Sequence, residues 1–99
     1  MKRTLVRYTA KAEQADENQR LIEKVFEELR AKALPGVRYT VLRVGNAFVH
    51  FAASEGDGPN PLTGLDAFKA FQSGVRERCQ EPPQAAEPVI VGNYRMLDE

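Results

Sequence analysis

One cysteine, one histidine and no tryptophan are what this 99-residue chain offers to covalent, metal or indole chemistry. The lone Cys79 excludes an internal disulfide and fits a reducing, cytoplasmic setting. No apolar run approaches the roughly 20 residues a membrane span needs. The N-terminal residues 1–7 are basic but lack the apolar core of a signal peptide, so no secretion or membrane partner is expected. An excess of charge is missing too. Fourteen Lys/Arg balance fourteen Asp/Glu, and with a pI near 6.6 the chain is a poor duplex nucleic-acid binder. The balance is uneven along the chain, at ten basic against six acidic residues in 1–50 and four against eight in 51–99. Interleaved strands and helices are expected to mix these charges in space.

What is present is a hairpin. Residues 39–54 place two runs rich in Val, Leu, Phe and Tyr around Gly45-Asn46, a pair able to take the positive φ of a two-residue turn. That turn sets the register: Val44 opposite Ala47, Leu42 opposite Val49 and Thr40 opposite Phe51. On the other face Arg43 meets Phe48, Val41 meets His50 and Tyr39 meets Ala52. The first face is small or apolar throughout. The second is largely apolar but carries Arg43, His50 and Tyr39. Neither face reads as a solvated one.

The rest of the chain supplies the other elements. Residues 5–10 read as a first strand, and Asp16 with Gln19 resembles a capping box. Leu21, Ile22, Val25, Phe26, Leu29 and Ala33 form one wide helical stripe, with Asn18 at its edge and Pro35-Gly36 as its stop. Residues 55–64 are loop by composition. A second helix is expected over 64–80, capped by Thr63 and Asp66 and striped by Leu65, Phe68, Phe71, Gln72, Val75 and Cys79, with Pro82-Pro83 ending it. Residues 88–97 read as strand four. The order is β-α-β-β-α-β, an α+β, ferredoxin-like arrangement with a four-stranded antiparallel sheet and two helices on one face, in a single domain over 1–99. The more apolar face, with Leu42, Val49 and Phe51, is expected under the helices. The Tyr39/Val41/Arg43 and Phe48/His50 face is then left for a second copy of the chain, because a patch of that size seldom stays bare.

With this element order and length, and with A-D-E-N-Q-R-L-I-E-K-V-F entering helix one and N-P-L-T-G-L-D-A-F-K-A-F leading into helix two, nearly the whole chain resembles the dimeric α+β barrel superfamily. Within it the resemblance is to the antibiotic-biosynthesis-monooxygenase-like domains. It implies a homodimer whose sheets enclose a cavity, with functions from cofactor-independent oxygenation to haem breakdown and isomerisation, so it leaves the reaction open. Haem-degrading members use an Asn, a Trp and a His. This chain has no Trp, and its one His lies on a strand.

A cofactor-free oxygenase needs a group to take a proton from a small aromatic or enolisable substrate. His50 is the candidate proton acceptor and Arg43 the candidate anion stabiliser, with Tyr39, Val41 and Phe48 lining the pocket and residues 55–62 as its lid. No cofactor or metal is expected, and a small-molecule ligand is. The plainer alternative is a non-catalytic binding or structural dimer, in which His50 is simply packed and hydrogen-bonded.

A rival comes from the RNA recognition motif. V-G-N-A-F-V-H-F over 44–51 matches five of seven specified positions of its strand-three signature. The misses matter: Asn46 stands where a stacking aromatic belongs, and Val44 where a phosphate-pairing cation does. Cys79 near a helix C-terminus reads as a buried apolar residue. Gly56-Asp57-Gly58 reads as turn chemistry rather than a phosphate loop.

Overall fold

The computed structural model describes residues 2–56, 58 and 60–97. Three eight-residue strands, β1 (Lys2–Thr9), β2 (Val37–Val44) and β3 (Ala47–Ser54), and a short β4 (Gln84–Ala86) form one antiparallel sheet in the order β2-β3-β1-β4. The eighteen-residue α1 (Ala15–Lys32) follows β1, and α2 (Asp66–Gln72) with α3 (Val75–Arg78) lies between β3 and β4. This is the expected ferredoxin-like α+β fold.

The hairpin register is as the sequence predicts, from Val37 opposite Ser54 to Val44 opposite Ala47. Of the two turn residues only Gly45 takes a positive φ, at 60°. A side chain there would meet the left-handed penalty that glycine escapes.

The parity of the sheet is reversed from expectation. Phe48 and His50 are buried with Tyr8 among helix residues, and Tyr39 and Val41 pack on the same core. Leu42 is 61% exposed, and with Val49 and Phe51 it faces away from the helices. The alternation is therefore as predicted, and its direction is inverted. The helices bring polar and aromatic partners to the sheet. Phe26 stacks on Tyr39 at 4.9 Å, Phe71 meets His50 at 5.3 Å, and Asn18 and Arg78 supply hydrogen bonds. The mixed face can be satisfied only there, while the purely aliphatic face needs no partner of particular chemistry.

Four local expectations are also corrected. Asp16 and Gln19 form no capping box: α1 starts after a 3-10 turn (Ala12–Gln14) with no side-chain cap, and both residues instead accept from Arg43. Thr63 and Asp66 do not cap helix two. Asn60 caps a 3-10 turn (Pro61–Gly64), and the open N–H groups at the start of α2 are taken by Glu28 of α1, 3.4 Å from Asp66 N and 2.8 Å from Ala67 N. Those bonds, with Lys32 at 3.0 Å, hold the Glu28 carboxyl below its usual range. The second helix is broken at Ser73-Gly74, which moves the buried positions from Phe71 to Arg78 and Cys79 and leaves Gln72 exposed. Finally, strand four is only Gln84–Ala86. Residues 88–97 adopt no regular structure and run over the open face of the sheet.

Candidate functional site

Two features stand out: a buried polar chain beneath the helices and an apolar groove on the open face. The buried chain begins at Arg78, whose Nε donates to Asn18 Oδ1 at 2.9 Å and whose terminal nitrogen donates to the Phe71 carbonyl at 2.6 Å. Its guanidinium also stacks 5.3 Å from the Phe71 ring. Among the described residues no carboxylate pairs with it. An arginine only donates, so Asn18 must present its oxygen to Arg78 and its amide nitrogen to Tyr8. That nitrogen donates to Tyr8 Oη at 2.8 Å. Tyr8 Oη in turn lies 2.7 Å from His50 Nε2, and Tyr39 Oη lies 2.7 Å from His50 Nδ1.

The direction of donation is fixed from Arg78 through Asn18 to Tyr8 Oη. At His50 a neutral imidazole accepts the proton of one phenol and donates its own N–H to the other, so the ring is held between Tyr8 and Tyr39 by one bond of each kind. Burial lowers the His50 pKa from 6.5 to about 4 and raises that of Tyr8 to about 12; Tyr39 is raised further by burial and by Tyr8. A protonated ring would donate from both nitrogens and leave the Tyr8 proton with no acceptor.

This gives a pH prediction. His50 is neutral in the fold and titrates near 6.5 unfolded, so the unfolded chain binds more protons between pH 6.5 and about 4. Stability is full above pH 6.5 and falls as pH drops toward 4, by up to ~3 kcal/mol. Glu28 adds its own loss as pH falls through its usual 4.5, so the slope between pH 5.5 and 6.5 reports His50. Urea unfolding across this range should show the slope in wild type and not in His50→Gln. A flat wild-type profile would place His50 in solvent.

The remaining residues expected at the site are placed as follows. Arg43 is engaged with the Gly45 carbonyl at 2.7 Å, Gln19 Oε1 at 2.7 Å and Asp16 at 3.1 Å, over the Phe48 ring at 5.4 Å. It ties the hairpin tip to the first turn of α1. Phe48 is 1% exposed, stacked on Tyr8 at 5.5 Å, and Val41 packs against the core. Tyr39 alone of the three expected lining residues also borders the open-face groove. Of the loop expected as a lid, residues 55–62, Asp57 and Pro59 lie outside the described residues, and none of the described ones borders that groove. Arg7 points to the open side and Tyr8 under the helices.

Sequence reasoning missed Tyr8 and Arg78 as members of the chain. Asn18 gave a signal, as a polar residue at the edge of an apolar helical stripe. Arg78 gave none, because the break at Gly74 puts it out of phase with the residues before it. Gly74 is itself fitted to Arg78: a Cβ there would stand 3.1 Å from a guanidinium nitrogen.

The groove, about 640 Å³, lies between the open face and residues 90–97. Leu5, Leu42, Val49 and Phe51 form its floor, Ile90 and Leu97 its cover, and Arg3 and Arg38 border one end. Among the described residues no cluster of three or more His, Cys, Asp or Glu could hold a metal, and no helix is long and apolar enough to cross a membrane.

The sequence matches no protein-family model and no curated protein. Solved structures do match. Rv0793 from Mycobacterium tuberculosis superimposes with a TM-score of 0.70 at 15% identity, over 92% of this chain and 95% of that one. A structure described as an antibiotic biosynthesis monooxygenase aligns at 0.67 and 15% identity, over 93% and 100%. SnoaB from Streptomyces nogalater, a cofactor-independent oxygenase, aligns at 0.66 and 15% identity, over 94% and 95%. The chain has the fold of the antibiotic-biosynthesis-monooxygenase-like α+β proteins.

Proposed function

We propose that this chain works as a cytoplasmic, homodimeric α+β barrel protein of monooxygenase-like kind that takes a small aromatic or enolisable molecule. The observation that carries this is the open face. Helices cover one side of the sheet only. The other side leaves Leu42 and Val44 exposed and Leu5, Val49 and Phe51 half-buried on the floor of the groove, and the chain that follows adds Val89, Val91, Tyr94 and Met96, each at least 79% exposed. A soluble monomer rarely shows so much continuous apolar surface. A second copy, face to face, buries it and closes the groove around a ligand.

The likeness to a cofactor-independent oxygenase and to a monooxygenase supports the kind of ligand, a molecule whose own acidity makes it reactive toward dioxygen. The geometry favours binding over catalysis by His50. Both ring nitrogens are committed to phenols, Phe71 covers the ring, and burial makes the imidazole a weak base. Arg43 is likewise spent on Asp16, Gln19 and Gly45 rather than on an anion. The oxygenase reading with His50 as base and Arg43 as anion stabiliser makes a separate prediction: dioxygen uptake with a small polycyclic phenol, abolished in His50→Phe.

Light scattering at micromolar concentration should give a particle of twice 11.1 kDa. An 11.1 kDa particle sinks the dimer. A dimer that binds the phenol without consuming dioxygen supports the binding reading, and His50-dependent uptake overturns it.

A further inference from the structure

The groove on the open face holds its charge at one end. Arg3 of β1 and Arg38 of β2 both stand level with Ala53 of β3, one on each side of it. Two strand spacings, roughly 10 Å, separate their backbones, and the Ala53 between them is small and buried. Both arginines border the groove, and none of the described residues that border it is acidic. Arg3 is half-buried, and among the described residues no carboxylate pairs with it. Arg7, further along the same face of β1, makes the contrast: it is exposed and borders a separate recess that also holds Glu81.

From the arginine end the groove turns apolar. Leu5 and Phe51 form the next row of the sheet, and Leu42 with Val49 the one after. From Ala53 to Val49 the strand runs roughly 13 Å, room for a fused-ring aromatic body. The volume of about 640 Å³ is that of a small-molecule site. A purely apolar ligand would use this floor and leave Arg3, already short of water, without an acceptor. An amphipathic anion uses both parts. Its body lies on the floor, and its head accepts from a cation that has lost part of its hydration. A carboxylate suits the head: its single charge costs less to desolvate than a phosphate dianion, and its two oxygens can meet two guanidiniums.

We propose that the groove binds a fused-ring aromatic carboxylate, its rings on Leu5, Phe51 and Val49 and its carboxylate between Arg3 and Arg38. This deepens the function proposed above and rests on its claim that the groove takes the ligand. It requires neither the dimer nor catalysis.

A matched pair of probes tests this in the full chain. Naphthalene carboxylate and naphthol share their rings, and at about pH 7 the first is charged and the second neutral. Equilibrium dialysis should find the carboxylate bound at least about tenfold more tightly, the scale of a hydrogen bond to a charged group. Arg3→Met keeps the aliphatic stem. It should remove that preference and leave naphthol within about twofold of wild type, which also shows the variant to be folded. Arg7→Met removes a charge from the same face outside the groove and should keep the preference. Equal binding of the two probes to wild type, or a preference that survives Arg3→Met, would overturn the anion site and leave the groove as a site for neutral aromatics. A preference lost equally in Arg7→Met would overturn it too, since attraction to a basic face would then explain the binding. If neither probe binds, this proposal and the ligand reading beneath it both fall. Amide shifts in the wild type give an independent reading: the carboxylate should move Phe51 and Ala53 more than Asn18 and Phe71. The reverse would place the ligand beneath the helices and overturn the proposal whatever the variants do.

Discussion

Replacing Asn18 by alanine should cost ~3 kcal/mol, the upper end of the range for leaving a buried hydrogen-bonding group without its partner. Asn18 is fully buried and does two things at once. Its oxygen is one of two hydrogen-bond acceptors of a guanidinium that is 7% exposed, and its nitrogen holds Tyr8 in line with His50. Alanine leaves the cation with the Phe71 carbonyl and ring alone, and frees Tyr8 to turn away from the imidazole. A second variant separates charge from packing. Asn18→Leu combined with Arg78→Met removes the donor and acceptor together, and should lose less than the sum of the single changes. Urea midpoints decide it. A loss under ~1 kcal/mol for Asn18→Ala would mean that water reaches Arg78 and that the chain is not closed.

The second large effect is at Phe48, and it tests the parity of the sheet. Phe48→Ala should cost ~3–5 kcal/mol, as for other fully enclosed aromatics. The ring stacks on Tyr8, lies beneath Arg43 and is 1% exposed. Phe51, three residues along the same strand, faces the other way and borders the groove. Phe51→Ala should therefore cost less when the chain is unfolded as a monomer, and should weaken dimerisation instead. If Phe51→Ala proves the more destabilising in dilute solution, Phe48 is on the outside and the face assignment is wrong.

Much of the fold was legible before any coordinates. Gly45-Asn46 between two β-rich runs fixes the hairpin pairing residue by residue, because a two-residue turn leaves one register. The 3.6-residue spacing from Leu21 to Leu29 fixes α1. Legibility failed where a residue's partner is remote in sequence. Glu28 caps α2 from 38 and 39 residues away, and Asp16 and Gln19 abandon a local box for Arg43, 27 and 24 residues on. Residues 88–91 have strand composition, but the β1 edge takes only Gln84–Ala86, and the chain then leaves the sheet plane to cross its open face.

The candidate site divides in the same way. His50, Tyr39, Arg43, Val41 and Phe48 were correctly placed on one face from sequence, since side chains on a strand alternate with period two. Which face the helices cover was not decidable by that rule, because both faces are apolar enough to be buried. Hydrophobicity alone points to the aliphatic face of Leu42, Val49 and Phe51. The tertiary structure chose the other, because Tyr8 of β1, held by Asn18 of α1 and through it by Arg78 of α3, meets one ring nitrogen of His50 while Tyr39 meets the other. A hydrogen-bond network closes only when all its members meet in space, whereas aliphatic side chains can be covered by any apolar surface. The sequence by itself determined the elements, their order and the hairpin register, all set by neighbours along the chain. Only the packing of three separate elements around His50 decided which side of the sheet became the core.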